Sequence, residues 1–235
     1  MPCSPFWTPS AAVALSPTLK SGRYTKSRVW ELHCQSLGKR FGERWVFRGL
    51  SLQVAQGMVL VVRGANGSGK STFIRLIAGL LAPTEGHIML CYDGQPVGDR
   101  TRWLGWCATD GALYRELTAY EHLRWWATIR GLPLEPAARH DTLMAHLQRF
   151  ELADRAHERI RTYSTGMRQR LRLAIATLGA PPLLLLDEPD AGLDMAGLQL
   201  IEQVLDEQRA RGIVVFATNR AEGERWGDLC LAMGA

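Results

Sequence analysis

Residues 64–71 read Gly64-Ala65-Asn66-Gly67-Ser68-Gly69-Lys70-Ser71, which matches the spacing G-x-x-x-x-G-K-S of a loop that wraps phosphate groups. The residue types supply the chemistry. Glycines let the backbone turn so that its N–H groups point inward. Those donors, with the positive end of a following helix, hold the β- and γ-phosphates of a nucleotide. Lys70 adds a mobile cation, and Ser71 offers a hydroxyl to Mg²⁺. The predicted contact set therefore runs from Gly64 through Thr72. A glycine-rich turn that matches by chance would lack the surroundings found here. A continuous apolar stretch, 58–62, precedes the loop, and a helix with Phe73, Ile74, Ile77 and Leu80 on one face follows it.

A second pair of chemical groups ends another apolar stretch. Leu183-Leu184-Leu185-Leu186 delivers Asp187 and Glu188, followed by Pro189. In open α/β sheets ligands bind at the carboxyl ends of strands, where these two acids stand. Asp187 is a candidate metal ligand, directly or through water. Glu188 is placed to orient and polarise an attacking water. A strand ending in two acids says little alone. Beside a phosphate loop it points to hydrolysis of a nucleoside triphosphate.

The elements that must position these groups follow from periodicity. Strands are predicted at 29–34, at 45–54 on either side of Gly49, at 58–62, 87–91, 183–186 and 213–217. Helices are predicted from the phosphate loop to Gly79, at 118–130, 136–150, 165–178 and 195–211. Thr118 with Glu121 forms a capping box, and Pro136 suits the first turn of its helix. Trp125 and Trp126 are read as packing residues. Strands alternating with helices imply a mostly parallel α/β core.

One further stretch decides the family. Tyr163-Ser164-Thr165-Gly166-Met167-Arg168-Gln169-Arg170 resembles the signature motif of the ABC ATPases. Asp190-Ala191-Gly192-Leu193-Asp194 resembles the D-loop of the same family. In this order, with the phosphate loop and the acidic pair, the resemblance runs from about Val29 to Gly234. It implies an α/β fold: a P-loop NTPase core with a mostly parallel sheet, an antiparallel β subdomain, and an inserted helical subdomain at about 101–170 of a 29–235 domain. It also implies ATP and Mg²⁺ as cofactors. A second ATPase subunit, the same chain or a different one, would lend Ser164, Thr165 and Gly166 to the γ-phosphate bound by the first. An integral membrane transporter subunit would be the other partner, with this chain at the cytoplasmic face of the membrane. Phe41 falls where the family places an aromatic against adenine, with Trp45 as the alternative and simple packing on the sheet as the plain reading.

The sequence departs from the family pattern twice. Thr109 stands where a glutamine is usual, and Asn219 stands where a histidine contacts the γ-phosphate. Asn219 is thus the candidate third catalytic residue beside Glu188 and Lys70. The form of the signature and the segment Leu117-Thr118-Ala119-Tyr120-Glu121-His122-Leu123 resemble exporter motors, among them the haem-exporter ATPases of cytochrome c maturation. The competing reading is a non-transport ATP switch with weak hydrolysis.

Bulk composition narrows the field further. The chain has 235 residues, 46% of them hydrophobic and 22% charged, enough for one large domain. Its net charge of +5 is spread without a long basic run, so no nucleic-acid partner is expected. Five widely spaced cysteines, with no Cys-x-x-Cys pair, argue against a disulfide framework or zinc site. No stretch reaches the roughly 18–20 apolar residues that cross a bilayer. Residues 1–28 carry Lys20, Arg23, Lys26 and Arg28 but no acid, and read as a disordered tail or a targeting segment. An organellar transit peptide would place the protein in an organelle.

Overall fold

In the computed structural model, which describes residues 29–108, 113–133, 135 and 138–234, two sheets share the core. The first is antiparallel, in the order β2-β1-β4-β5. It is built from β1 (Trp30–Phe41), β2 (Arg44–Ala55), β4 (Glu85–Tyr92) and the two-residue β5 (Gln95–Pro96). β1 is twice the length expected. Its register against β2 slips between Cys34 and Leu37 and again between Leu37 and Lys39. On β2 the second slip falls between Phe47 and Leu50, where Gly49 takes a left-handed φ of 70°. A bulge of this kind bends a strand without ending it. The expected break at Gly49 is therefore a kink inside one strand.

The second sheet is parallel at every pairing, in the order β6-β7-β8-β3-β9. Its strands are β3 (Val59–Arg63), β6 (Leu104–Ala108), β7 (Leu183–Asp187), β8 (Ile213–Thr218) and β9 (Leu229–Ala232). Side chains alternate between its faces. Val59, Val61, Leu184, Leu186, Val214 and Phe216 point to one core, with α4 (Thr165–Thr177) and α5 (Met195–Arg209). Leu60, Val62, Leu185 and Val215 point to the other, with α1 (Lys70–Ile77) and the inner face of the antiparallel sheet. Because both faces are covered, β7 and β8 are apolar up to their last residues, Asp187 and Thr218, rather than alternating.

Two strands differ from expectation. Leu104–Ala108 falls inside the stretch expected to be helical, yet it pairs with Leu183–Asp187 at the edge of the parallel sheet. β9, unmarked in the sequence reading, closes the opposite edge against β3. Between β6 and β7 lie α2 (Ala119–Ile129), α3 (Arg139–Arg149) and α4. The capping box of α2 is present in full, with Thr118 and Glu121 each bonding the other's backbone N–H. α3 begins at Arg139 with Ala138 as its cap, and the expected start at Pro136 lies outside the described residues. Trp126 packs on the core, whereas Trp125 stays 39% exposed and meets Tyr114 edge-on. Among the described residues no helix is long and apolar enough to cross a membrane. The expectations for 1–28 and for Thr109 lie outside the described residues.

Candidate active site

The phosphate loop joins the end of β3 to the start of α1. Gly69 caps that helix with a φ of 105°, and a Cβ there would meet Val46 Cγ1 at 2.5 Å. Only glycine fits both the backbone and the approach of β2. Lys70 is the first residue of α1 and is 4% exposed. Its Nζ donates to the carbonyls of Gly64 at 2.9 Å and Ala65 at 3.1 Å, and lies 3.8 Å from Glu188 Oε1. An ammonium has three N–H donors, so this one is aimed by the loop with capacity left for an anion.

Ser71 Oγ donates to Asp187 Oδ1 at 3.1 Å, joining the second residue of α1 to the last of β7. A hydroxyl and a carboxylate are thus side by side, an all-oxygen pair suited to a hard divalent cation. No group of three or more His, Cys, Asp or Glu placed to hold a metal ion occurs among the described residues.

Glu188 follows directly. It takes a left-handed φ of 50°, and its N–H donates to Ala217 O at 2.9 Å. A positive φ is unfavourable for a residue with a Cβ, and more so before proline. The turn is held regardless. Pro189 O accepts from the buried Gln169 Nε2 at 3.1 Å, and Asp190, 3% exposed, accepts from Thr218 Oγ1 at 3.1 Å. At the end of β8, Asn219 Nδ2 donates to Asn66 Oδ1 of the loop at 3.0 Å.

Lys70, Ser71 and Glu188 border a cleft of about 610 Å³, which Asp187 and Asn219 do not line. Asn66, Gly67, Ser68, Gly69, Lys70, Ser71, Thr72 and Glu188 line it together with Phe41, Arg44, Trp45 and Val46 of the β1–β2 hairpin. Phe41 is 51% exposed, with Lys39 Nζ 5.0 Å from its ring centre. The guanidinium groups of Arg48 and Arg40 lie 4.7 and 5.6 Å from the centre of the Trp45 indole. Phe41 is therefore the more accessible ring. Arg44, Val46 and Gly234 also line the cleft and were not anticipated. Arg44 had no motif to mark it; its place comes from pairing with Phe41 across the β1–β2 turn.

Ser164, Thr165 and Gly166 do not line this cleft. Ser164 caps α4, accepting from Met167 N at 3.2 Å. Gly192 sits against Thr165 and Gly166, and Asp194 caps α5 through Gly197 N at 2.9 Å. That backbone bond, then Arg170, holds the Asp194 carboxyl below its ordinary range. Cys107, by contrast, is pushed up to about 12 by burial and is no nucleophile at neutral pH.

Residues 47–191 match the family model described as ABC transporter. The chain belongs to this family. It is 37% identical over 188 residues to the cytochrome c biogenesis ATP-binding export protein CcmA of Paramagnetospirillum magneticum, covering 77% of this chain and 83% of that one. It is 34% identical over 200 residues to the lipopolysaccharide export system ATP-binding protein LptB of Acidithiobacillus ferridurans, covering 83% and 82%. A solved structure of an ATP-binding subunit of an ABC transporter superposes with a TM-score of 0.76 at 31% identity, covering 86% of this chain and 85% of that one. The fold is that of ABC ATPases. The protein is an ATP-binding, ATP-hydrolysing subunit of an ABC transporter.

Proposed function

We propose that this ABC ATPase drives an exporter, with haem export for cytochrome c maturation as the specific task. The likeness to CcmA and the segment 117–123 support the haem reading. Similarity to LptB supports export without favouring haem. The observation that carries the hydrolytic site is the convergence of Lys70, Ser71 and Glu188 on the cleft, with Asp187 bonded to Ser71 beside it.

ATP would lie with its base toward Phe41 and its phosphates in the 64–72 loop. Loop N–H groups and Lys70 would take the phosphate charge. Ser71 and Asp187 would hold Mg²⁺, which when bound neutralises charge on the β- and γ-oxygens. Glu188 would orient water for in-line attack and accept its proton. Asn219 would supply an amide donor near the γ-phosphate. The first turn of α4 presents N–H groups and lies outside the cleft that Lys70 and Glu188 line. That supports a closed pair of ATPase subunits, alike or different, in which Ser164, Thr165 and Gly166 of each meet the other's nucleotide. An integral membrane subunit would complete the transporter, placing the pair on the cytoplasmic face of the membrane.

The test is ATPase activity with the co-purified membrane subunit in proteoliposomes, with and without haem. Stimulation by haem, lost in Lys70→Ala, is expected. Basal turnover that no membrane subunit alters would favour the second reading, a non-transport ATP switch. That reading has one observation behind it: the Asn219 amide is already engaged by Asn66.

A further inference from the structure

The ladder between β7 and β8 ends at the pair Asp187 and Ala217. Glu188 and Asn219 both lie beyond that last pair. Past it, one backbone bond remains, from Glu188 N to Ala217 O, and then side chains take over. Asp190 Oδ2 accepts from Thr218 Oγ1 at 3.1 Å and stands 3.8 Å from Arg220 Nε. The same Thr218 hydroxyl accepts from Arg220 N at 3.1 Å. Asp190 and Thr218 are buried, whereas Arg220 is about half exposed.

A buried carboxylate without a counter-charge is strongly disfavoured. Asp190 therefore has one physical reason to stay where it is: Thr218 and Arg220 hold it there. It lies two residues after Glu188, whose left-handed φ needs support from its surroundings. Arg220 lies one residue after Asn219. The clasp thus extends the β7–β8 connection by side chains, between the two turns that carry the reacting groups.

We infer that Asp190, clasped by Thr218 and Arg220, is a positioning residue that holds Glu188 in register with Asn219 and the γ-phosphate site. It touches no substrate in this reading and acts through the Glu188 turn. The inference rests on the proposed role of Glu188 in polarising water. A displacement of about 1 Å at a reacting group can cost on the order of a hundredfold in rate, so a loosened turn should register in turnover before it registers in binding.

The experiment measures kcat, KM, ATP affinity and melting temperature for wild type, Asp190→Asn, Arg220→Gln and the double variant, with Glu188→Gln as reference. Asp190→Asn keeps an acceptor for Thr218 but removes the charge. Its kcat should fall by about tenfold or more with ATP affinity within about twofold of wild type. Arg220→Gln, at the exposed end, should do the same and serves if Asp190→Asn folds poorly. The double variant should recover part of the loss of Arg220→Gln, because no unpaired buried charge remains. Unchanged kcat in both single variants, or kcat and ATP affinity falling together, overturns the inference. Full activity in Glu188→Gln would instead overturn the site reading on which it rests.

Discussion

Asn219 Nδ2 donates to Asn66 Oδ1 at 3.0 Å, so the end of β8 is tied across the mouth of the phosphate loop. One amide hydrogen is committed to the loop, and the asparagine side chain is short and carries no charge. A well-placed transition-state donor is worth about 3 kcal/mol, roughly a hundredfold in rate. Hydrolysis should therefore be slow and Glu188-dependent. Asn219→His should raise kcat more than it changes ATP affinity. Steady-state ATPase assays on both proteins check this. Brisk wild-type turnover that the histidine slows would mean that asparagine is the adapted solution.

Ser71 and Asp187 lie 3.1 Å apart, and the proposed metal reading makes a separable prediction. Removing Mg²⁺ with a chelator should abolish turnover, and added Mg²⁺ should restore it. Ser71→Ala should raise the Mg²⁺ concentration for half-maximal activity by about tenfold, while Ser71→Thr, which keeps the hydroxyl, should not. The lost hydrogen bond to Asp187 should cost only about 1 kcal/mol of stability. A Mg²⁺ titration beside a urea melt separates the two effects. An unchanged Mg²⁺ requirement in Ser71→Ala would remove Ser71 from the metal site.

Motifs whose chemistry is local were legible in the sequence. The phosphate loop, the capping box of α2 and the Ser164 cap of α4 each depend on residues within a few positions. β6 was not legible because Gly105 weakens its strand signal. A Cβ there would lie 1.8 Å from Ala176 O, so α4 packs too close for any side chain. The length of β1 was hidden by bulges that break its alternation. In the site, Asp190 is legible only as the first residue of the D-loop resemblance. Its burial depends on Thr218, 28 residues away, and the Asn66–Asn219 bond spans 153. Such pairings are set by the strand order of the parallel sheet, which no short window contains.

Two histidines make stability pH-dependent. His122 is fully buried and its Nε2 accepts from Tyr114 N at 3.1 Å, a bond that needs the neutral ring. His146 Nε2 lies 2.8 Å from Ala174 O. Burial lowers the pKa of both below the ordinary 6.5. Below that value the unfolded chain takes up protons that the folded chain refuses. Their contribution is present in full above pH 6.5 and is lost as pH falls through the lowered folded values. Urea melts from pH 7.5 to 5.5 should show falling stability, with a shallower slope in His122→Gln. An equal slope in His122→Gln would assign the acid sensitivity to other groups.

The two-subunit reading predicts a trapped complex. Ser164, Thr165 and Gly166 sit at the start of α4, outside the cleft that holds Lys70 and Glu188. The N-terminal N–H groups of a 13-residue helix favour an anion, and they do not line the phosphate cleft of their own chain. A second subunit's γ-phosphate would satisfy them. Binding energy then depends on intact ATP, and hydrolysis releases the pair. Glu188→Gln keeps the shape of the side chain but cannot accept a proton from water, so ATP should persist and the pair with it. Size-exclusion chromatography of Glu188→Gln with Mg²⁺ and ATP should show a species of twice the monomer mass, which disappears with ADP. Adding Ser164→Arg should abolish it by filling the anion site from within. A strictly monomeric Glu188→Gln protein at saturating ATP, with the membrane subunit present, would rule out the closed pair.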